Sequence, residues 1–91
     1  MNVARYSFSY QKIENRVYVI GGGNIDKNGN LQALHSCEYL DIKNYKWNSI
    51  CNMPTALIST NSLSYRNSLY IFGGVELNKI RNRSIFRYNQ Q

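Results

Sequence analysis

The chain has 91 residues, 43% of them apolar and 13% aromatic, with eleven basic against five acidic residues and a net charge of +6. That length suits one small domain, and the apolar share excludes a disordered tail. No apolar run is long enough for a membrane-spanning helix, which excludes the membrane as a partner of that kind.

Residues 1–12 carry Arg5 and Lys12 but no continuous apolar stretch. No signal peptide is read there, so cytoplasmic residence is the expectation. Residues 7–12 read as a first strand, closed by a tight turn at Glu14-Asn15. Asparagine tolerates the left-handed backbone that a two-residue hairpin requires. Residues 17–20, Val-Tyr-Val-Ile, are apolar at every position, the pattern of a strand covered on both faces. They run into Gly21-Gly22, where a side chain would obstruct a sharp turn or a close neighbouring backbone. A polar excursion over residues 24–30 follows, with Asn28-Gly29 marking a turn at its tip.

Residues 36–41 form a third predicted strand, and Asp41-Ile42-Lys43-Asn44 a hairpin connection with aspartate in a favoured first position. Residues 45–50 alternate large apolar with polar side chains and read as a fourth strand. Residues 51–55, holding Met53-Pro54, lead onward. The pattern then begins again. Leu69-Tyr70-Ile71-Phe72-Gly73-Gly74 repeats residues 17–22 at an offset of 52, and Ala4, Ser7 and Asn15 return as Ala56, Ser59 and Asn67. Residues 84–89 repeat 36–41 at an offset of 48, so the first excursion carries four extra residues. Insertions fall where the backbone needs no ladder partner, so the glycine-flanked stretch is expected to be a surface loop in both copies.

A self-match near fifty residues signals a repeat architecture, whose units bury their faces by stacking. Four short antiparallel strands per unit make a propeller blade. The chain divides into residues 1–53, one blade, and 54–91, a partial blade lacking its last strand.

These residues resemble the kelch repeat. Gly21-Gly22 matches the family's diglycine, Leu40-Asp41 stands where it usually has tyrosine-aspartate, and Trp47 matches its tryptophan. In the second copy Gly73-Gly74 and Tyr88-Asn89 match. Met53-Pro54 resembles the family's methionine-proline linker, usually followed by an arginine; that position holds Leu57 here, whereas the first copy keeps Arg5. The resemblance implies an all-β, kelch-type β-propeller of four-stranded antiparallel blades, here incomplete, with Trp47 and the tyrosines filling the wedges between blades. Kelch propellers close with about five to seven blades. Two blades leave apolar faces bare, to be covered by further blades or by a homo-oligomer.

Catalysis needs convergent polar groups, and none stand out. His35 is the sole histidine, with no carboxylate or cysteine at metal spacing, so no catalytic residue, metal ligand or cofactor is assigned. Some copper oxidases use kelch-type propellers, but the paired histidines of such a site are missing here. Cys37 and Cys51 read as reduced thiols on compartment grounds, with a disulfide left open. Gly21-Gly22-Gly23 lacks the lysine and helix of a phosphate loop. Lys79, Arg81, Arg83 and Arg87 crowd the end of the chain, yet no nucleic-acid-binding fingerprint accompanies them, and charge alone does not carry that role.

What the resemblance implies is a recognition surface built from the loops after each diglycine and those linking the blades. The candidate residues are Arg5, Asn24, Asp26 and Asn28, and in the second copy Glu76, Asn78, Lys79 and Arg81. Arg5 sits where the family's linker arginine often reaches an acidic peptide; pairing with backbone carbonyls is the competing role. The expected function is protein–protein interaction without catalysis, as in receptors that present substrates to ubiquitin ligases or in cytoskeleton-binding proteins. The alternative is part of a kelch-propeller oxidase or sugar-converting enzyme whose active site lies elsewhere.

Overall fold

Apolar and alternating segments pair edge to edge because backbone N–H and C=O groups removed from water need ladder partners. The computed structural model describes residues 1–89, which form nine β-strands and no helix. β1 (Ser9–Ile13), β2 (Arg16–Ile20), β5 (Cys37–Asp41) and β6 (Lys46–Ile50) make a four-stranded sheet in the order β1-β2-β5-β6. β7 (Asn61–Tyr65), β8 (Ser68–Phe72) and β9 (Ile85–Asn89) make a three-stranded sheet in the order β7-β8-β9. Every pairing is antiparallel. β1, β2, β5, β6, β8 and β9 fall within two residues of their predicted positions.

Three expectations need correcting. The first excursion is not a plain loop: β3 (Gly23–Ile25) and β4 (Leu31–Ala33) pair as a small hairpin, with Ile25 opposite Leu31. Its four extra residues leave room for two short strands. The shorter second excursion manages single bridges, from Val75 to Ile58 and to Arg81. In the first β-turn the left-handed residue is Glu14 (φ 53°), whereas both Arg66 (φ 50°) and Asn67 (φ 62°) are left-handed in the second. The twist of the flanking strands imposes this on whatever residues stand there. Trp47 pairs with Leu40, on the face of the first sheet that points away from the second, so it takes no part in the wedge between them.

That wedge is filled by one face of each sheet. Tyr18, Ile20, Leu57 and Leu69 are completely buried, joined by Ile13, Cys37, Met53 and Ile71. The Tyr18 ring lies 5.4 Å from that of Tyr39 and 5.9 Å from that of Tyr88 across the seam, both tilted. Arg16 closes the outer side, its guanidinium 4.3 Å from the Tyr39 ring centre and donating to the Tyr18 hydroxyl at 3.4 Å. Along the inner strands the Ser9 and Ser62 hydroxyls are hydrogen-bonded, Gln11 Nε2 donates to the Ser62 carbonyl at 3.0 Å, and the Ser59 amide donates to the Ser7 carbonyl at 2.9 Å. Burial pushes the Cys37 thiol up to about 11. Cys37 (buried) and Cys51 (exposed) are both free thiols.

Candidate functional site

The diglycines decide where the loops emerge. Gly21 (φ 61°) and Gly22 (φ 97°) are left-handed, and a Cβ on either would fall 2.8 Å from the Leu57 carbonyl oxygen or 2.6 Å from that of Tyr6. Only glycine combines that backbone with that approach. The Gly22 amide instead donates to the Leu57 carbonyl at 2.9 Å. This turn throws the β3–β4 hairpin out of the sheet toward the same end as the second excursion.

At the tip of the hairpin, Asp26 accepts the Asn28 and Asn30 amides on one carboxylate oxygen, both at 2.9 Å, and Gly29 (φ 83°) completes the turn. Asn24 donates to the Ala4 carbonyl at 3.0 Å and accepts from Gln32 at 2.6 Å, tying the hairpin to the N-terminal segment. The second excursion repeats the device in shorter form. The Glu76 carbonyl accepts the Lys79 amide at 2.8 Å, Asn78 Oδ1 accepts the Ile80 amide at 3.1 Å, and Lys79 is left-handed (φ 69°). Asn82 reaches the Glu76 carboxylate at 3.4 Å.

Between the two excursions runs an open groove of about 520 Å³, lined by Gln32, Ala33, Thr55, Ala56, Glu76, Leu77 and Asn78. Of the eight residues singled out in the sequence, Glu76 and Asn78 line this groove, and Asn24 stands behind it through Gln32. Asp26 is spent on shaping its turn, Asn28 belongs to that same turn, and Lys79 and Arg81 are exposed on the second excursion.

Arg5 is elsewhere. Its side chain is 0% exposed and bridges to Glu38 at 2.9 Å, with Nη1 donating at 2.8 Å to the carbonyls of both Gly21 and Ser36. Glu38 in turn accepts the amides of Asn2 and Val3 at 2.7 and 3.1 Å. Arg5 is therefore an internal clasp and presents no cation to an acidic peptide. The strand register turns Glu38, opposite Val19, onto the face where Arg5 arrives, and that meeting is not written in local sequence.

Sequence reading passed over the apolar side chains of this end. Ile25, Leu31, Leu77 and Ile80 are all large hydrophobics exposed on the two excursions. Their signal was present as isolated branched residues inside otherwise polar stretches. Beside them Lys27, Lys79, Arg81 and Arg83 are exposed, giving a mixed apolar and basic surface. Among the described residues no three histidine, cysteine or acidic side chains gather as for a metal ion.

The model of the kelch motif matches residues 4–54, more than half of the chain. Among the solved structures that match is the structure of YjhT, 21% identical, with a TM-score of 0.73 over 81% of this chain. The matched part is 22% of that structure's chain, so the present chain spans about a fifth of its length. No match is found among the curated proteins.

Proposed function

Because the chain belongs to the kelch-repeat family, we propose that the end carrying the two excursions is a recognition surface for another protein. The observation that carries this is the exposure of Ile25, Leu31, Leu77 and Ile80 on the two excursions, with Leu77 lining the groove of about 520 Å³ that runs between them. Exposed apolar anchors rimmed by charge are the usual composition of a protein-binding patch. Lys27, Lys79, Arg81 and Arg83 outnumber Asp26 and Glu76 there, which favours a partner segment carrying acidic side chains. The proposal assigns no catalytic step to this chain. A role as a substrate receptor or a cytoskeleton-binding protein follows from family analogy alone.

Selection of phage-displayed random peptides against the chain tests this reading. The expected result is a recovered group sharing acidic and apolar positions, whose binding falls at least about tenfold with Leu77→Asp and weakens with added salt. Peptides that bind Leu77→Asp and Lys79→Glu variants as well as the unmodified chain would overturn it.

A further inference from the structure

The outer face of the second sheet is bare. Leu63, Tyr65, Tyr70, Phe72 and Ile85 line an open apolar depression of about 450 Å³, and Ile85 is 70% exposed. The repeat reveals what such a face fits. At the offsets of 52 and 48 residues these five positions correspond to Gln11, Ile13, Tyr18, Ile20 and Cys37 of the first sheet. Those are the residues that the second sheet covers, burying Tyr18 and Ile20 completely.

The covering face has its own counterpart. It presents Ser62, Leu69, Ile71, Phe86 and Tyr88, together with the linker residue Met53. One repeat earlier these are Tyr10, Val17, Val19, Glu38 and Leu40, with Met1 for Met53. Register puts all five strand positions on the far face of the first sheet, beside Trp47. Met53 is 6% exposed within the seam, whereas Met1 is 48% exposed. Tyr10 is likewise open to solvent. Glu38 and Val19 are the exceptions: the Glu38 carboxylate is already held by Arg5 and the N-terminal amides, and Val19 is buried in the single chain. The chain thus carries a socket on one side and the counterpart of the matching plug on the other.

We propose that the socket of one chain takes the far face of the first sheet of a second copy, head to tail. The seam within the chain is the template for this contact: tyrosines and branched aliphatics on the socket side, and a methionine-bearing linker with aliphatics on the plug side. A head-to-tail contact uses two different patches, so it closes into a ring or runs on as a polymer according to the rotation per copy. This is independent of the recognition reading, since none of the groove residues takes part.

Sedimentation velocity of the full chain, with single and mixed variants, decides the matter. The unmodified chain is expected to associate into species of two or more chains as concentration rises. Leu63→Asp with Ile85→Asp breaks the socket, and Tyr10→Asp breaks the plug; each is expected to weaken association at least about tenfold by burying an unpaired charge. All three residues are exposed in the single chain, so circular dichroism should report unchanged strand content. Mixing the socket-broken and plug-broken chains is expected to yield a species that stops at two chains, because one intact socket and one intact plug remain. That result holds whether the unmodified chain forms rings or open polymers. A chain that stays monomeric at every concentration overturns the proposal, leaving the socket to a blade from another source. Association that ignores both variants, or a mixture that forms no pair, overturns it equally.

Discussion

In the first unit a buried arginine and glutamate, Arg5 and Glu38, stand where the second unit places Leu57 and Phe86. The two pairs occupy equivalent register, Glu38 opposite Val19 and Phe86 opposite Ile71. One unit fastens its linker by a desolvated ion pair whose oxygens and nitrogens are shared with four backbone groups and the Ser36 hydroxyl. The other has apolar side chains in their place, its Leu57 completely buried. A buried ion pair gains little over apolar residues of similar size, while removing one partner is severe. The fold therefore tolerates either chemistry at this position but not half of either.

Breaking the ion pair on one side gives the largest expected effect. Glu38→Ala leaves the Arg5 guanidinium buried and unpaired and is expected to cost about 3–5 kcal/mol in urea unfolding. Replacing both, Arg5→Leu with Glu38→Phe, copies the second unit. That double variant should return to within about 1–2 kcal/mol of the unmodified chain, the remainder reflecting the Asn2 and Val3 amides that lose their acceptor. A double variant as unstable as Glu38→Ala would sink the equivalence of the two pairs.

The tyrosines sharpen the same comparison. Tyr18 is fully buried in the seam, whereas its repeat counterpart Tyr70 lies on the bare face under Arg87, 5.9 Å from the ring centre. In dilute solution Tyr18→Ala is expected to cost about 3–5 kcal/mol and Tyr70→Ala about 1 kcal/mol. Equal costs would mean that the second sheet does not cover the first as described.

Titration separates the units next. Cys37 is buried where the second unit carries the exposed, non-ionising Ile85. The thiol ionises at 9.0 when free in the unfolded chain and at about 11 in the folded one. The unfolded state therefore loses its proton first. Stability is fully present below pH 9 and falls by up to about 2–3 kcal/mol as pH rises to about 11. Cys37→Ala, compared with the unmodified chain by thermal melts across that interval, should remove this part of the alkaline loss.

The smallest expected difference concerns the diglycines. Gly21→Ala and Gly73→Ala both force a left-handed alanine, at about 1 kcal/mol. Only at Gly21 does the new Cβ also meet a backbone oxygen, that of Leu57 at 2.8 Å, whereas the nearest atom at Gly73 is an asparagine side chain at 3.5 Å. Thermal melts should rank Gly21→Ala as the less stable.

Much of this was legible in residue order. The repeat, the strands and the diglycine turns follow from apolar pattern and from backbone conformations that glycine alone adopts cheaply. Asp26 and Asn78 stood out as polar loop residues, and the structure places both in turns, where a carboxylate or amide oxygen satisfies backbone amides two residues on. Arg5 stood out as well, yet its direction did not, because a long side chain points wherever its partner lies.

Local chemistry alone set the periodicity, the turn positions and the all-β class, since these depend on neighbours a few residues apart. Only the tertiary structure decided which face each strand buries, that Arg5 turns inward to Glu38, and that Trp47 lies away from the seam. It also decided that Ile25, Leu31, Leu77 and Ile80 stay in water on the two excursions. Each of these depends on register and on contacts between residues far apart in the chain, where no local pattern reaches.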